Sequence, residues 1–232
     1  MKLKTLIILL FLGTICTYPA YLIYRNYKTQ KVINEYYALP YYQYRIDQFK
    51  STNFADSSVV FIGNSITEEF KLSVFQSSRI YNFGISGDFS QGLLKRVGLV
   101  TSLKPSQIFV MIGINDIVEK VPLKEIQKNY SETIQQIKKE SPQTQIFVQS
   151  VLPIRGFNSF MTSNSELIEK IKEMNIFLKT SSAEWQAQYV DLFSLLIDEK
   201  NQLKASLTYD GVHLTDEGYK IWIKEIEHLV QK

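Results

Sequence analysis

Val59-Val60-Phe61-Ile62-Gly63-Asn64-Ser65-Ile66-Thr67-Glu68 is the stretch on which the reading of this chain turns. A short apolar run, rich in β-branched residues, stops at a glycine, and a serine follows two positions later. Such a run reads as a strand buried on both faces, the kind found inside a parallel sheet. Gly63 permits a tight turn, and Ile66 can open a helix. In open α/β sheets this junction lies at the carboxyl edge, where ligands bind. Ser65 has two readings here. In Ser65-Ile66-Thr67-Glu68 it is the N-cap of a capping box, with Glu68 reaching back. It is also placed to be a nucleophile, provided that partners from elsewhere in the chain reach it.

Outward from this stretch, strand and helix patterns alternate. Strands are expected at 58–62, 79–83, 107–112, 145–151 and 188–192. Helices are expected near 66–76, 90–101, 122–140, 165–185 and 215–231. Pro122 suits a first helical turn, whereas Pro105 and Pro142 fall in loops. This alternation predicts βαβ units and an α/β fold around a parallel five-stranded sheet. The connector before it is dense in tyrosine. Tyr41, Tyr44 and Gln48, with Arg45 and Phe49, are expected on a short helix packed against the domain. The same tyrosines would also suit a membrane surface or a sugar site.

The 232 residues, 45% of them hydrophobic, fit one domain of ~180–200 residues plus an extension. Lys and Arg number 26 against 23 Asp and Glu, a balance that gives no basic stripe and argues against nucleic acid as a partner. Cys16 is the single cysteine, which excludes an internal disulfide framework and a cysteine metal cluster. The apolar run from Leu6 to Tyr24 approaches the ~20 residues that cross a bilayer as a helix. It reads as an uncleaved signal anchor or a signal peptide. The run continues past the weak cleavage site at Pro19-Ala20, and Tyr18, Tyr21 and Tyr24 suit a membrane interface, which favours the anchor. Cys16 then reads as a small apolar membrane residue. The expected organisation is residues 1–28 as anchor or signal, 29–57 as connector, and 58–232 as an exported domain.

A serine nucleophile needs a base. His213 and His228 are the two histidines. His228 lies among charged residues of the final helix and reads as solvated. His213 stands in Tyr209-Asp210-Gly211-Val212-His213-Leu214-Thr215. Asp210, three residues earlier across a glycine turn, is spaced to accept a hydrogen bond from Nδ1 and leave Nε2 free for a serine. The plainer reading is an Asp-Gly turn before a helix capped by Thr215. Donors for an oxyanion are available after other strands: the Ser65 backbone N–H, Gly87 after the second, and Asn115 after the third. Ser65, Gly87 and Asn115 each follow a different predicted strand, so a parallel sheet carries all three to one edge.

Taken together, these residues resemble the SGNH hydrolases, the GDSL esterase/lipase family. Its four signature residues map in order onto Ser65 in Gly63-Asn64-Ser65, Gly87 in Gly84-Ile85-Ser86-Gly87-Asp88, Asn115 in Gly113-Ile114-Asn115-Asp116, and His213 in Asp210-Gly211-Val212-His213-Leu214. The block around Gly87 and the Val151-Leu152-Pro153 segment are similar to the branch of platelet-activating-factor acetylhydrolase-like and bacterial carbohydrate O-acetylesterase-like enzymes. Asn64 departs from the aspartate that usually precedes the nucleophile. The resemblance implies a three-layer α/β/α, flavodoxin-like sandwich, which the apolar N-terminal run would precede as a signal or transmembrane helix. It also implies ester hydrolysis without a metal or other cofactor. The roles it implies are a Ser65–His213–Asp210 triad and an oxyanion hole of Ser65, Gly87 and Asn115.

The expected activity is release of small acyl groups, acetyl foremost, from carbohydrate esters outside the membrane. Two alternatives stand beside it. One is a lysophospholipase or thioesterase with a longer acyl groove lined by Phe157, Phe160 and Met161. The other is a non-catalytic, membrane-tethered glycan-binding domain.

Overall fold

The computed structural model describes the backbone of residues 2–55, 57–156 and 163–230, with side chains described from residue 19 onward. The chain divides into two compact units, Met1–Leu39 and Pro40–Lys232. The first holds one helix, α1 (Lys2–Tyr37). Among the described residues no helix is long and apolar enough to cross a membrane. Most of the apolar run from Leu6 to Tyr24, Cys16 included, lies outside the residues whose side chains are described.

The second unit opens with α2 (Pro40–Lys50). It continues through β1 (Val59–Gly63), α3 (Ser65–Glu68), β2 (Ile80–Gly84), α4 (Ser90–Arg96), α5 (Gly98–Thr101), β3 (Gln107–Met111) and α6 (Ile114–Val118). Next come α7 (Leu123–Glu140), β4 (Gln145–Gln149), α8 (Asn164–Glu184), β5 (Gln188–Val190), α9 (Phe193–Leu196) and α10 (Asp216–Ile226). The five strands form one sheet in the order β2-β1-β3-β4-β5. Every neighbouring pair is parallel.

The strand sequences explain the sheet. Val59, Val60, Phe61 and Ile62, like Ile108, Phe109 and Val110, are shut off from solvent on both faces, as a parallel sheet between helices requires. Register aligns Phe61 with Phe109 and Phe109 with Phe147. Their rings stack across the sheet at 4.6 and 4.3 Å. Phe70 meets Phe61 edge-on at 5.3 Å and stacks on Trp222 of α10 at 4.5 Å, so α10 closes this face. Each such pair adds about 0.5–1.5 kcal/mol beyond burial of its area. Toward the other face, α7 buries Ile126, Tyr130, Ile134 and Ile137 on one stripe, and the Tyr130 hydroxyl donates to the Val110 carbonyl at 3.1 Å.

The strand order reverses at β1, with β2 on one side and β3 on the other. The crevice outside the carboxyl ends at that switch point is the expected ligand position. Ser65 follows β1 and Asn115 follows β3, so both stand there.

Several elements depart from expectation. The helix expected over 66–76 is only α3, followed by a 3-10 turn at Leu72–Phe75. Phe70 and Phe75 are drawn onto Phe61, and that packing overrides helix continuation. The helix expected over 90–101 is divided into α4 and α5 at Val97. The last helix ends at Ile226 rather than near 231. On α2 the packed face carries Tyr42 and Phe49, which are buried, whereas Tyr41 and Tyr44 are 41% and 59% exposed. Phe49 is thus packed as expected, whereas Tyr42 is buried in place of Tyr41 and Tyr44. Phe49 stacking on Phe83 of β2 at 4.2 Å sets the rotation of the helix.

Candidate active site

The turn after β1 is fixed by contact distances. A Cβ on Gly63 would lie 2.2 Å from the Met111 carbonyl oxygen and 2.3 Å from Thr67 Oγ1, so only glycine fits. Asn64, not Ser65, caps the helix. Its backbone is extended, and its Oδ1 accepts the Ile66 N–H at 3.1 Å. The capping-box reading of Ser65 is thereby corrected, because the neighbouring amide already supplies the cap. Nor does Glu68 reach back to Ser65; its carboxylate accepts from Ser86. Ser65 becomes the first helical residue, 8% exposed, with its hydroxyl available to another partner. The Tyr219 hydroxyl of α10 donates to the Ile66 carbonyl at 2.8 Å and steadies this short helix.

That partner comes from the loop before α10. His213 Nε2 lies 2.8 Å from Ser65 Oγ, and His213 Nδ1 lies 2.6 Å from Asp210 Oδ2. The other Asp210 oxygen accepts the backbone N–H groups of Val212 and His213 at 2.9 and 2.8 Å. Partial burial pushes the Asp210 carboxyl up, but the donors from His213 and Val212 outweigh it and hold the group below the usual carboxylate range. The carboxylate therefore stays ionised and fixes the ring.

Local geometry holds the loop in this form. Thr208 bridges to Leu214, and Gly211 adopts φ +94° with its N–H bonded to Thr208 Oγ1 at 2.8 Å. The Arg155 N–H donates to the Gly211 carbonyl at 2.8 Å. A Cβ on Gly211 would lie 2.1 Å from the Arg155 oxygen, so the loop docks on the 151–155 segment only through a glycine. Thr215 caps α10, its hydroxyl accepting from Gly218 at 3.4 Å.

Gly87 and Asn115 are brought together as well. Gly87 has φ +81°, a conformation that suits glycine. Asn115 sits in α6, and its side-chain amide donates to the carbonyl of Asp88, the residue after Gly87, at 2.9 Å. The two are thus linked through Asp88. His228 is exposed and takes no part. Phe157, Phe160 and Met161 lie outside the described residues.

Sequence reading missed the groups behind this site. Asp88 is fully buried, and Arg96 Nε meets it at 2.8 Å. The same guanidinium donates to the carbonyls of Phe83 and Gly63 at 2.7 and 2.8 Å, joining the ends of β2 and β1. Burial drives the Asp88 carboxyl upward, against the pull of Arg96. Buried Asp116, beside Asn115, accepts the Ser90 N–H at 3.0 Å and its hydroxyl at 2.6 Å. Burial pushes its carboxyl up to about 6, with Ser90 opposing. Tyr209 stacks on His213 with ring centroids 5.7 Å apart, and its hydroxyl donates to Glu69 at 3.0 Å. The available signals were an arginine directly before the apolar Val97-Gly98-Leu99-Val100 run and a tyrosine beside Asp210.

Comparison with known proteins places this geometry in context. The pattern of the GDSL-like lipase/acylhydrolase family matches residues 61–221, more than half of the chain. A structure from Streptococcus pneumoniae, described as a platelet activating factor, superposes with a TM-score of 0.74 at 28% identity, covering 86% of this chain and 97% of that one. An acetylxylan esterase from Geobacillus stearothermophilus shares the fold, with a TM-score of 0.58 at 20% identity over 78% of this chain and 97% of that one. An N-acylneuraminate cytidylyltransferase from Escherichia coli O18:K1:H7 is 26% identical over 192 residues, 81% of this chain and 43% of that protein. The chain therefore spans less than half the length of that curated relative.

Proposed function

The chain belongs to the GDSL-like lipase/acylhydrolase family, a family of ester hydrolases, and from that premise we propose that it is a serine esterase. Its substrates are small acyl esters, acetyl foremost, carried on carbohydrate. The observation that carries the proposal is the continuous hydrogen-bonded line from Ser65 through His213 to Asp210. In the reaction His213 Nε2 takes the Ser65 proton as Oγ attacks the ester carbonyl. The N–H groups of Ser65 and Gly87, with the Asn115 amide, hold the developing oxyanion. His213 then gives its proton to the departing alcohol, and an acyl-enzyme remains. Water, deprotonated by His213, releases the acid and restores Ser65. Asp210 keeps the imidazole oriented and balances its charge while it is protonated.

The carbohydrate reading draws support from the sugar substrate in the cytidylyltransferase's name and from the fold shared with the acetylxylan esterase. We further propose that residues 1–28 anchor the hydrolase outside the membrane, on the strength of the apolar run from Leu6 to Tyr24. The test is hydrolysis of p-nitrophenyl esters from acetate to long acyl chains. Ser65→Ala and His213→Ala should each abolish nearly all turnover while the protein still melts cooperatively. Substantial turnover in either variant overturns the assignment. A rate that climbs with chain length replaces the acetyl reading with a lipid or thioester one.

A further inference from the structure

Part of the support for this site comes from outside the region matched by the family, residues 61–221. Helix α2 brings Arg45 to the end of β2, where Nη2 donates to the Gly84 carbonyl at 2.8 Å. Arg45 Nε lies 3.2 Å from Glu68 Oε1, and the Tyr41 hydroxyl donates to the same oxygen. The other oxygen, Glu68 Oε2, accepts the Ser86 N–H at 2.6 Å and the Ser86 hydroxyl. Glu68 and Arg45 are largely sheltered, with side chains 18% and 19% exposed. Glu68 follows Ser65 by three residues on α3, and Ser86 precedes Gly87. One carboxylate therefore spans the nucleophile helix and the loop that carries Gly87. On the far side of Gly87, Asp88 is held by Arg96 through its carboxylate and by Asn115 through its carbonyl.

We propose that Glu68 and Arg45 are positioning residues that hold Ser86, the residue directly before Gly87, and thereby aim the Gly87 N–H for oxyanion binding, so that the working hydrolase unit begins at α2 and not at β1. The inference rests on the serine-esterase reading given above. An oxyanion donor is effective only when its direction is set before the reaction. Gly87 alone cannot set it, because glycine leaves both backbone dihedrals soft. Charge-assisted bonds from the Ser86 N–H and hydroxyl to a carboxylate are short and directional, and they hold the residue from which the Gly87 N–H projects. Arg45, 3.2 Å from the sheltered carboxylate, keeps it aimed at Ser86. In Glu68→Gln an amide replaces the carboxylate among groups that are all donors. Either its NH₂ faces Ser86 or it faces Arg45 and Tyr41.

The experiment compares kcat and KM on p-nitrophenyl acetate for the full chain and its Glu68→Gln, Arg45→Met and Arg45→Lys variants. Rates are normalised to sites titrated to completion with a fluorophosphonate, and thermal melting is recorded for each. Glu68→Gln and Arg45→Met should each lose roughly tenfold or more in kcat per titrated site, with KM within about twofold. Arg45→Lys should recover part of the loss. A kcat per site within twofold of the parent in both variants overturns the proposal, as does a loss confined to KM or to the number of titratable sites. Ser65→Ala measured beside them separates the two failures. Retained turnover there refutes the esterase reading itself, whereas Ser65-dependent turnover that is indifferent to Glu68 and Arg45 refutes only their role.

Discussion

Replacing Arg96 with Met should destabilise the domain by about 3–5 kcal/mol, the usual cost of removing one partner from a buried ion pair. The structure sets that scale. Arg96 and Asp88 have side chains 2% and 0% exposed, so neither charge is solvated when the other is lost. Methionine fills the volume of the aliphatic stem but leaves the Asp88 carboxylate without its cation. It also strips a donor from the Phe83 and Gly63 carbonyls at the ends of two adjacent strands. At about 2–4 °C per kcal/mol for a domain of this size, the melting temperature should fall by roughly 6–20 °C. The deficit should depend on pH. Burial already raises the folded-state Asp88 carboxyl above its ordinary range, and Arg96 is the main group opposing that rise. Without Arg96 the folded carboxyl titrates higher still, so the folded state binds the proton more tightly than the unfolded chain. Stability of the variant therefore falls as pH rises from the unfolded carboxyl range upward, and its deficit is larger at pH 8 than at pH 5. Urea titrations at the two pH values measure this directly. Asp88→Asn in the Arg96→Met background should restore part of the loss, because the stranded charge is gone. A deficit below about 1 kcal/mol at pH 8, or one that grows toward pH 5, would refute the reasoning.

Other perturbations address the site and its surroundings. Asn115→Ala should lower kcat by roughly 10²–10³, the scale of one oxyanion donor, and a loss below about threefold in the p-nitrophenyl acetate assay would mean that the amide serves only the Asp88 carbonyl. Gly211→Ala combines φ +94° with a Cβ 2.1 Å from the Arg155 oxygen, so it should displace the His213 loop and abolish most turnover; parent-like kinetics would show that the loop adapts freely. The folded-state Asp116 carboxyl sits at about 6, above its unfolded range, so it stabilises the fold below the unfolded value and loses that contribution as pH rises through 6. Asp116→Asn should therefore flatten the fall in stability between pH 4 and 6 seen by urea titration, and an unchanged slope would assign it to another group.

Much of this arrangement is legible in the sequence because its signals are local. Strands buried on both faces must be continuous apolar runs, and Val59–Gly63 and Gln107–Met111 stand close to where those runs place them. The Asp210–His213 contact spans three residues, so the spacing already shows its reach. The boundary errors are of another kind. The expected helix over 66–76 failed because Phe70 and Phe75 gain more from stacking around Phe61 than from extending four helical residues. On α2 the expectation for Phe49 holds, but Tyr42 is buried where Tyr41 and Tyr44 were expected, because a short tyrosine-rich helix has several apolar faces and the Phe49–Phe83 stack selects among them.

The sequence by itself therefore determined the order of strands and helices, the parallel sheet and the family. It also placed Ser65, Gly87 and Asn115 after separate strands. These follow from hydrophobic period and turn chemistry, which act over a few residues. Only the tertiary structure decided whether Ser65 is a cap or a partner of His213. The answer depended on Asn64 taking the Ile66 N–H and on a loop returning from 148 residues away. It alone disclosed Arg96 behind Asp88, and Glu68 between Arg45 and Ser86. Those pairings carry no sequence period; they join groups that only the folded packing brings alongside one another.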